Sequence, residues 1–310
     1  MSLSEKIRVP INGTPQGMIL KAEDATKPVL LYLHGGMPDY FLTRRHPTGL
    51  DGFFTVCWWE QRGSGLSFDP KADPRAVTLD QLVSDTLAVT DYLRLRFGQD
   101  RIYLMGHSGG TFLGMHVVAR SPERFLAYIG VAQIADQRRS EQIAYEHMRR
   151  EFHVAGDRRM VERLEASPVL SPGYFAMRDA AMHRLGGGTM REIRSVVTGI
   201  LLESLRCPDY SPREKINLWR GKITSGVSSM WSTILETRLA DAIPKVDVPV
   251  YFMHGAHDLT CSPDVARDYF DVLDAPRKAF FTFADSAHSP LFEEPERFCA
   301  VLCEEVLARV

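Results

Sequence analysis

The sequence predicts an α/β fold: a doubly wound, mostly parallel sheet with a helical lid inserted after the sixth strand. Three observations carry this. Continuous apolar runs of strand length alternate with helix-period segments, the pattern of parallel strands joined by crossover helices. The strand signal vanishes over residues 134–240, where only amphipathic helical stretches remain. It then resumes and continues nearly to the C-terminus.

Taken in order, "KIRVPIN" and "GMILKAE" are short β-like runs around a Gly-Thr-Pro turn. "PVLLYLHGG" (28–36) and "FFTVCWWEQRG" (53–63) are unbroken apolar runs ending in glycine, as strands buried on both faces require. "TLDQLVSDTLAVTDYLRLRFG" (78–98) repeats its apolar residues near a 3.6-residue period, so it reads as a helix started by Thr78 and stopped by Gly98. "RIYLMG" (101–106) is a buried strand, "GTFLGMHVVARS" a helix and "FLAYIGVA" (125–132) another strand. After the insertion come "VPVYFMHG" (248–255), a helix over 263–273, "KAFFTFA" (278–284) and a last helix from Pro290. Residues 1–133 and 241–310 therefore form the core and 134–240 the lid. Within the lid, "RRSEQIAYEHMRREF", "DRRMVERLEA", "GYFAMRDAAMHRL" and "MREIRSVVTGILLESL" are the helix candidates, with a hinge-like triple glycine at 186–188.

Composition narrows the functional classes. A hydrophobic share of 45% over 310 residues supplies a sizeable core without disulfide staples. The formal charge of −2 offers no basic surface for nucleic acid or an acidic membrane. The N-terminus lacks a signal-peptide pattern and no apolar run reaches membrane-spanning length, so the expected compartment is the cytoplasm. Five scattered cysteines, an odd number, argue against a disulfide framework, and Cys299 and Cys303 are expected to be buried thiols rather than a metal pair.

The chemistry centres on "LMGHSGGTF" (104–112). Gly106-His107-Ser108-Gly109-Gly110 fits G-x-S-x-G with a strand before it and a helix after it. A serine on that strained bend is lifted clear of the sheet, and small residues two positions away let strand and helix nearly touch. Its hydroxyl needs a base. His288 follows the last apolar strand in a loop and is the candidate, whereas the side chain of His107 should diverge from Ser108. A carboxylate must orient that base. Asp258 follows the strand end at 255 and gives the chain order Ser, Asp, His expected on this fold. The oxyanion hole takes the amide of Gly109 and one from the "HGGMPDYF" loop, Gly36 first and Met37 as the alternative.

"HGGMP", "WWEQRGSGLS", "GHSGG", "HGAHDLTCSP" and "SAHSP" together resemble the α/β-hydrolase superfamily over nearly the whole chain. The branch they most resemble is the proline iminopeptidase-like one, whose corresponding strings are HGGPG and DQRGxGxS. The resemblance implies a triad of Ser108, Asp258 and His288 with Gly36 and Gly109 as oxyanion donors. It also implies that a peptidase of this type would hold its substrate's amino group with lid carboxylates, for which Glu146 and Glu203 are the candidates. Met37 stands where the branch has proline, and the usual lid Trp-Glu signature is not evident. Glu60 and Arg62 are expected to brace the oxyanion loop through the arginine. Lid residues such as Met148, Tyr174, Met177 and Trp219 suggest an apolar cavity.

The resulting expectation is a serine hydrolase that cleaves a carboxylic ester or lactone through an acyl-enzyme, without cofactor or metal. Its partner is a small acyl substrate, with self-association left open. An aminopeptidase on small peptides or amides is the first rival. A ligand-binding protein with little turnover is the second. Serine in the nucleophile position argues against the carboxylate-dependent chemistry of dehalogenases and epoxide hydrolases.

Overall fold

The computed structural model describes residues 1–224 and 230–309. The chain opens with a hairpin of β1 (Leu3–Ile11) and β2 (Thr14–Ala22), then places each apolar run in a strand: β3 (Val29–Leu33), β4 (Thr55–Trp59), β5 (Ile102–His107), β6 (Phe125–Val131), β7 (Val250–Gly255) and β8 (Lys278–Phe283). The hairpin turns at Asn12-Gly13, whose φ values of 45° and 78° are those of a tight primed turn, rather than through Thr14-Pro15. The eight strands form one sheet in the order β1-β2-β4-β3-β5-β6-β7-β8. The strands from β4 through β8 are parallel to one another, and β1 and β2 complete the edge antiparallel.

Alternation along the strands splits the core between the two faces. Val29, Leu31 and Leu33 enter one hydrophobic cluster, while Leu30 and Tyr32 enter the other. In β5, Ile102 and Leu104 point one way and Tyr103 and Met105 the other. Burial on both sides is why these strands read as unbroken apolar runs. The first face is covered by α1 (Leu79–Phe97) and α2 (Gly109–Arg120). Thr78 caps α1 by accepting from the Gln81 amide, and Gly98 ends it at φ 64°.

Between β6 and β7 the chain is helical: α3 (Gln137–Val154), α4 (Arg158–Glu165), α5 (Pro172–Leu185), α6 (Leu202–Arg206), α7 (Pro212–Thr224), α8 (Trp231–Glu236) and α9 (Leu239–Ala242). α3, α4 and α5 build a small core of their own from Met148, Phe152, Leu164, Tyr174, Met177 and Met182. Those methionines and aromatics therefore pack the lid internally instead of lining a cavity. The helix expected over 190–205 is shorter, beginning as a π-turn at Val197–Leu201 before α6. Residues 187–191 ahead of it are held by the core loops, as set out below. α10 (Pro263–Val272) separates β7 from β8. The last helix is split into α11 (Pro290–Glu293) and α12 (Pro295–Val301), because Pro295 forces Glu294 out of helical geometry, to φ −126° and ψ 56°.

Among the described residues no helix is long and apolar enough to cross a membrane. All five cysteines are free; Cys303 is half-buried and the others are buried.

Candidate active site

The loops that follow β3, β5, β7 and β8 meet at the carboxyl edge of the parallel strands, where ligands bind in open α/β sheets. Ser108 stands between β5 and α2 with φ 54° and ψ −123°, a conformation that costs about 1–3 kcal/mol and persists only when its surroundings impose it. The surroundings are glycines. A Cβ on Gly106 would stand 2.6 Å from the Gly110 carbonyl oxygen, and one on Gly110 would stand 2.1 Å from that of Leu33. A Cβ on Gly35 would come within 2.7 Å of the Ser108 Cβ. The first glycine of the His-Gly-Gly loop is thus what lets that loop lie against the serine.

Asp258 is buried and uses both oxygens. Oδ1 accepts from the amides of Thr260 (2.7 Å) and Cys261 (3.0 Å). Oδ2 accepts from His288 Nδ1 at 2.8 Å and lies 3.3 Å from His254 Nε2. Burial opposes its charge, yet His288 and His254 more than compensate and hold the carboxyl well below the usual carboxylate range. His288 is buried as well, and its pKa lies below the ordinary histidine value. Burial is the main cause; Asp258 opposes it, and the neighbouring His107 and His254 add to it. The ring is therefore neutral near pH 7, with Nδ1 protonated toward Asp258 and Nε2 free to accept. The Ser108 hydroxyl interacts with the Cys261 thiol, and that sulfur, a His288 ring nitrogen and an Asp258 oxygen all lie within 4.8 Å of one another. Among the described residues no hydrogen bond joins Ser108 Oγ to His288. Such contacts are often long in unliganded sites and tighten with substrate. The same trio, Asp258, Cys261 and His288, is the group that could offer ligand atoms to a metal, though its carboxylate and imidazole are already bonded to each other.

Gly109 opens α2, so its N–H has no acceptor within the helix. Gly36 is exposed, with open space where a side chain would stand. Met37 is half-buried against the second core cluster. The loop carrying Gly36 is braced by Gln61, not by Arg62. The Gln61 amide donates to His34 Nε2 at 3.1 Å and its side chain donates to the His34 carbonyl at 2.8 Å. Arg62 instead makes a bidentate pair with Asp85 of α1, at 2.5 and 2.9 Å. Glu60 is buried, where its carboxylate accepts from Tyr210 and the Leu66 amide, and burial raises its carboxyl to about 7.

The remaining sequence candidates bond to other partners. Glu146 is exposed and bonded to Gln142 on the solvent side of α3. Glu203 is paired with Arg45 at 3.0 Å and Arg206 at 3.1 Å. Trp219 donates its ring N–H to Ser204 at 2.9 Å and packs against the second cluster.

Three groups for which the sequence predicted no such role hold the loops together. His107 bonds to Asp39 through Nδ1 (2.9 Å) and to the His288 carbonyl through Nε2 (3.0 Å). Glu293 accepts from the amides of Arg191 (2.6 Å), Ala287 (2.9 Å) and Ser289 (3.2 Å). Burial pushes its carboxyl up to about 7 against the pull of those amides. The triple glycine is a strap rather than a hinge: Gly187 O accepts from the Leu259 amide (3.0 Å) and Gly188 O from the His288 amide (3.4 Å). A lid segment thereby touches both the Asp258 and the His288 loops. Residue spacing carries no trace of the contacts that cross between loops, those of His107 with Asp39 and the His288 carbonyl and of Glu293 with the Arg191 amide.

A family model described as alpha/beta hydrolase fold matches residues 28–295. The chain belongs to that family. Its relatives place it in the proline iminopeptidase-like branch of these hydrolases. A probable aminopeptidase, YbaC of Bacillus subtilis (strain 168), is 30% identical over 298 residues, which cover 94% of this chain and 93% of the relative. A proline iminopeptidase of Clostridioides difficile (strain 630) is 25% identical, with 91% and 90% covered. The crystal structure of a Mycobacterium smegmatis proline iminopeptidase shares the fold at TM-score 0.67 and 20% identity, covering 97% of each chain.

Proposed function

We propose that this hydrolase cleaves a carboxylic ester or lactone through an acyl-enzyme. The observation that supports the reading is that the strained Ser108 elbow and the hydrogen-bonded His288–Asp258 pair stand on loops that follow β5, β7 and β8 at one edge of the sheet. In this reading neutral His288 removes the Ser108 proton as Oγ attacks the substrate carbonyl. The Gly36 and Gly109 amides receive the oxyanion, each worth about 3–4 kcal/mol to the transition state. His288 returns its proton to the leaving oxygen, and a water deprotonated by the same ring releases the acid. Asp258 holds the ring and stabilises the imidazolium while it exists. The core is assigned to residues 1–133 and 241–310, and the lid to 134–240.

An aminopeptidase is the second reading, favoured by the curated relatives at 30% and 25% identity. Such a reaction needs an anion for the substrate's ammonium group. The two lid carboxylates singled out for that purpose are engaged elsewhere: Glu203 by two arginines, Glu146 by Gln142 on the solvent face. That is why the ester and lactone reading stands first.

One experiment tests both. Wild type and Ser108→Ala are exposed to a fluorophosphonate and weighed intact, alongside release rates from p-nitrophenyl acetate and proline p-nitroanilide. The expected result is one adduct on wild type, none on the variant, ester turnover and a silent anilide. Anilide cleavage would transfer the conclusion to the aminopeptidase. A folded wild type that takes no label would overturn the acyl-enzyme altogether.

A further inference from the structure

His107 occupies the variable position of the nucleophile motif, and the reaction as written gives it no task. Its side chain turns away from Ser108 and is buried between two loops. From the loop after β3 comes Asp39, whose Oδ2 lies 2.9 Å from Nδ1 and also accepts the Tyr32 hydroxyl at 2.6 Å. From the loop after β8 comes the His288 carbonyl, 3.0 Å from Nε2, with the Ser289 hydroxyl farther off at 3.4 Å. A carbonyl oxygen has no proton to give, so Nε2 must carry one. An ionised carboxylate is likewise acceptor-only, so Nδ1 must carry one too. Both ring nitrogens donate, which only the imidazolium can do.

We propose that His107 is a standing imidazolium and a positioning residue: it ties the oxyanion loop to the base loop, and its charge keeps His288 neutral. The inference rests on the triad reading above. The two imidazole rings are 5.0 Å apart between centroids and tilted by 41°. At that range a like charge disfavours a second one. The other ionisable groups facing the pair are Asp39 and Tyr32 on one side, His34 at the end of β3, and Asp258 with His254 on the acid loop. Asp39 balances His107, and Asp258 balances the imidazolium that His288 forms transiently. Two histidines with separate carboxylates thus divide the labour: one stays charged and holds two loops, the other stays neutral until it takes the Ser108 proton. Burial alone would discharge His107, but the hydrogen bond and charge of Asp39 outweigh it and raise its pKa.

Two measurements test this. In wild type labelled with nitrogen-15 at histidine, His107 is assigned through its own side-chain couplings. Both its ring nitrogens are expected to carry protons at neutral pH, while His288 shows one bare nitrogen there. A bare nitrogen on His107 at neutral pH would overturn the proposal. The second measurement is the pH profile of p-nitrophenyl acetate hydrolysis by His107→Gln, which keeps a donor for the His288 carbonyl and loses the charge. The acidic limb of kcat/KM is expected to move toward neutral by about 0.5–1 pH unit, with KM within about twofold of wild type. A folded variant with the wild-type limb would overturn the electrostatic half. The nuclear resonance reading needs no turnover and no variant. A wild type that hydrolyses nothing while His107 carries both protons would therefore count against the hydrolase reading alone.

Discussion

Ser108 is held by what its neighbours lack. Gly106, Gly110 and Gly35 each leave room that a methyl group would fill, and the positive φ of the serine follows from that crowding. Gly35→Ala would press a Cβ against that of Ser108, so kcat is expected to fall about 10²-fold, the scale of a 1 Å misplacement. Thermal unfolding of that variant, followed in parallel, separates a displaced serine from a lost fold. Asp258→Asn is expected to lower kcat by roughly 10⁴-fold, because an amide favours the wrong tautomer of His288. The pH dependence follows from the same pair. In the proposed reaction His288 serves as a base only when neutral, and burial, helped by the two nearby histidines, depresses its pKa despite Asp258. Activity is therefore lost as pH falls through that depressed value. The acidic limb of kcat/KM is expected below about pH 6.5, the ordinary histidine value. A limb above it would contradict the burial and charge balance. At this scale much was legible in the sequence: the elbow motif and the loops after β7 and β8 pointed to Ser108, Asp258 and His288, which the fold brings together. The roles of His107, Asp39 and Glu293 were not, because the partners that join loop to loop, the His288 carbonyl and Asp39 for His107 and the Arg191 amide for Glu293, are far off in sequence.

At the scale of elements, local signals sufficed wherever an element answers to its own sequence. Thr78 and Gly98 bound α1 as its caps require, and the strands coincide with the apolar runs. Prediction failed where a distant element claims the backbone. Residues 190–195 carry a helical pattern but stay out of helix, because the Arg191 amide is bound by Glu293 and Gly187 and Gly188 give their carbonyls to core loops. The strap gives two expectations. In Gly187→Ala a Cβ would meet Leu259 Cγ at 2.3 Å, next to Asp258. Loss of kcat with a lowered melting temperature is expected, and unchanged kinetics would sever the strap from the site. In Glu293→Gln at least one of three amides loses its acceptor, an expected cost of about 1–3 kcal/mol in denaturant unfolding.

Across the whole molecule, the lid has a core and a buried ion pair of its own. Arg178 donates to Glu141 at 2.6 and 2.8 Å, Tyr174 adds a third bond, and Gln137 links the pair to the Thr260 carbonyl beside Asp258. Arg178→Met would strand the Glu141 charge, at an expected cost of about 3–5 kcal/mol. The double variant Glu141→Leu with Arg178→Met is expected to recover most of it, which equilibrium unfolding would show. A single variant as stable as wild type would mean that Glu141 takes up a proton or reaches water. By itself the sequence determined the parallel core, the helical insertion and the residue types at the strand ends, because burial on two faces, helix period and a strained glycine-rich turn are local demands written locally. Only the tertiary structure decided which carboxylates are engaged, which glutamine braces the His-Gly-Gly loop and which lid segment clasps the Asp258 and His288 loops. Tertiary contacts of this kind join residues as distant as His107 and the His288 carbonyl, 181 positions apart. A hydrogen bond leaves no periodicity behind it, so such pairings exist only once the chain has closed.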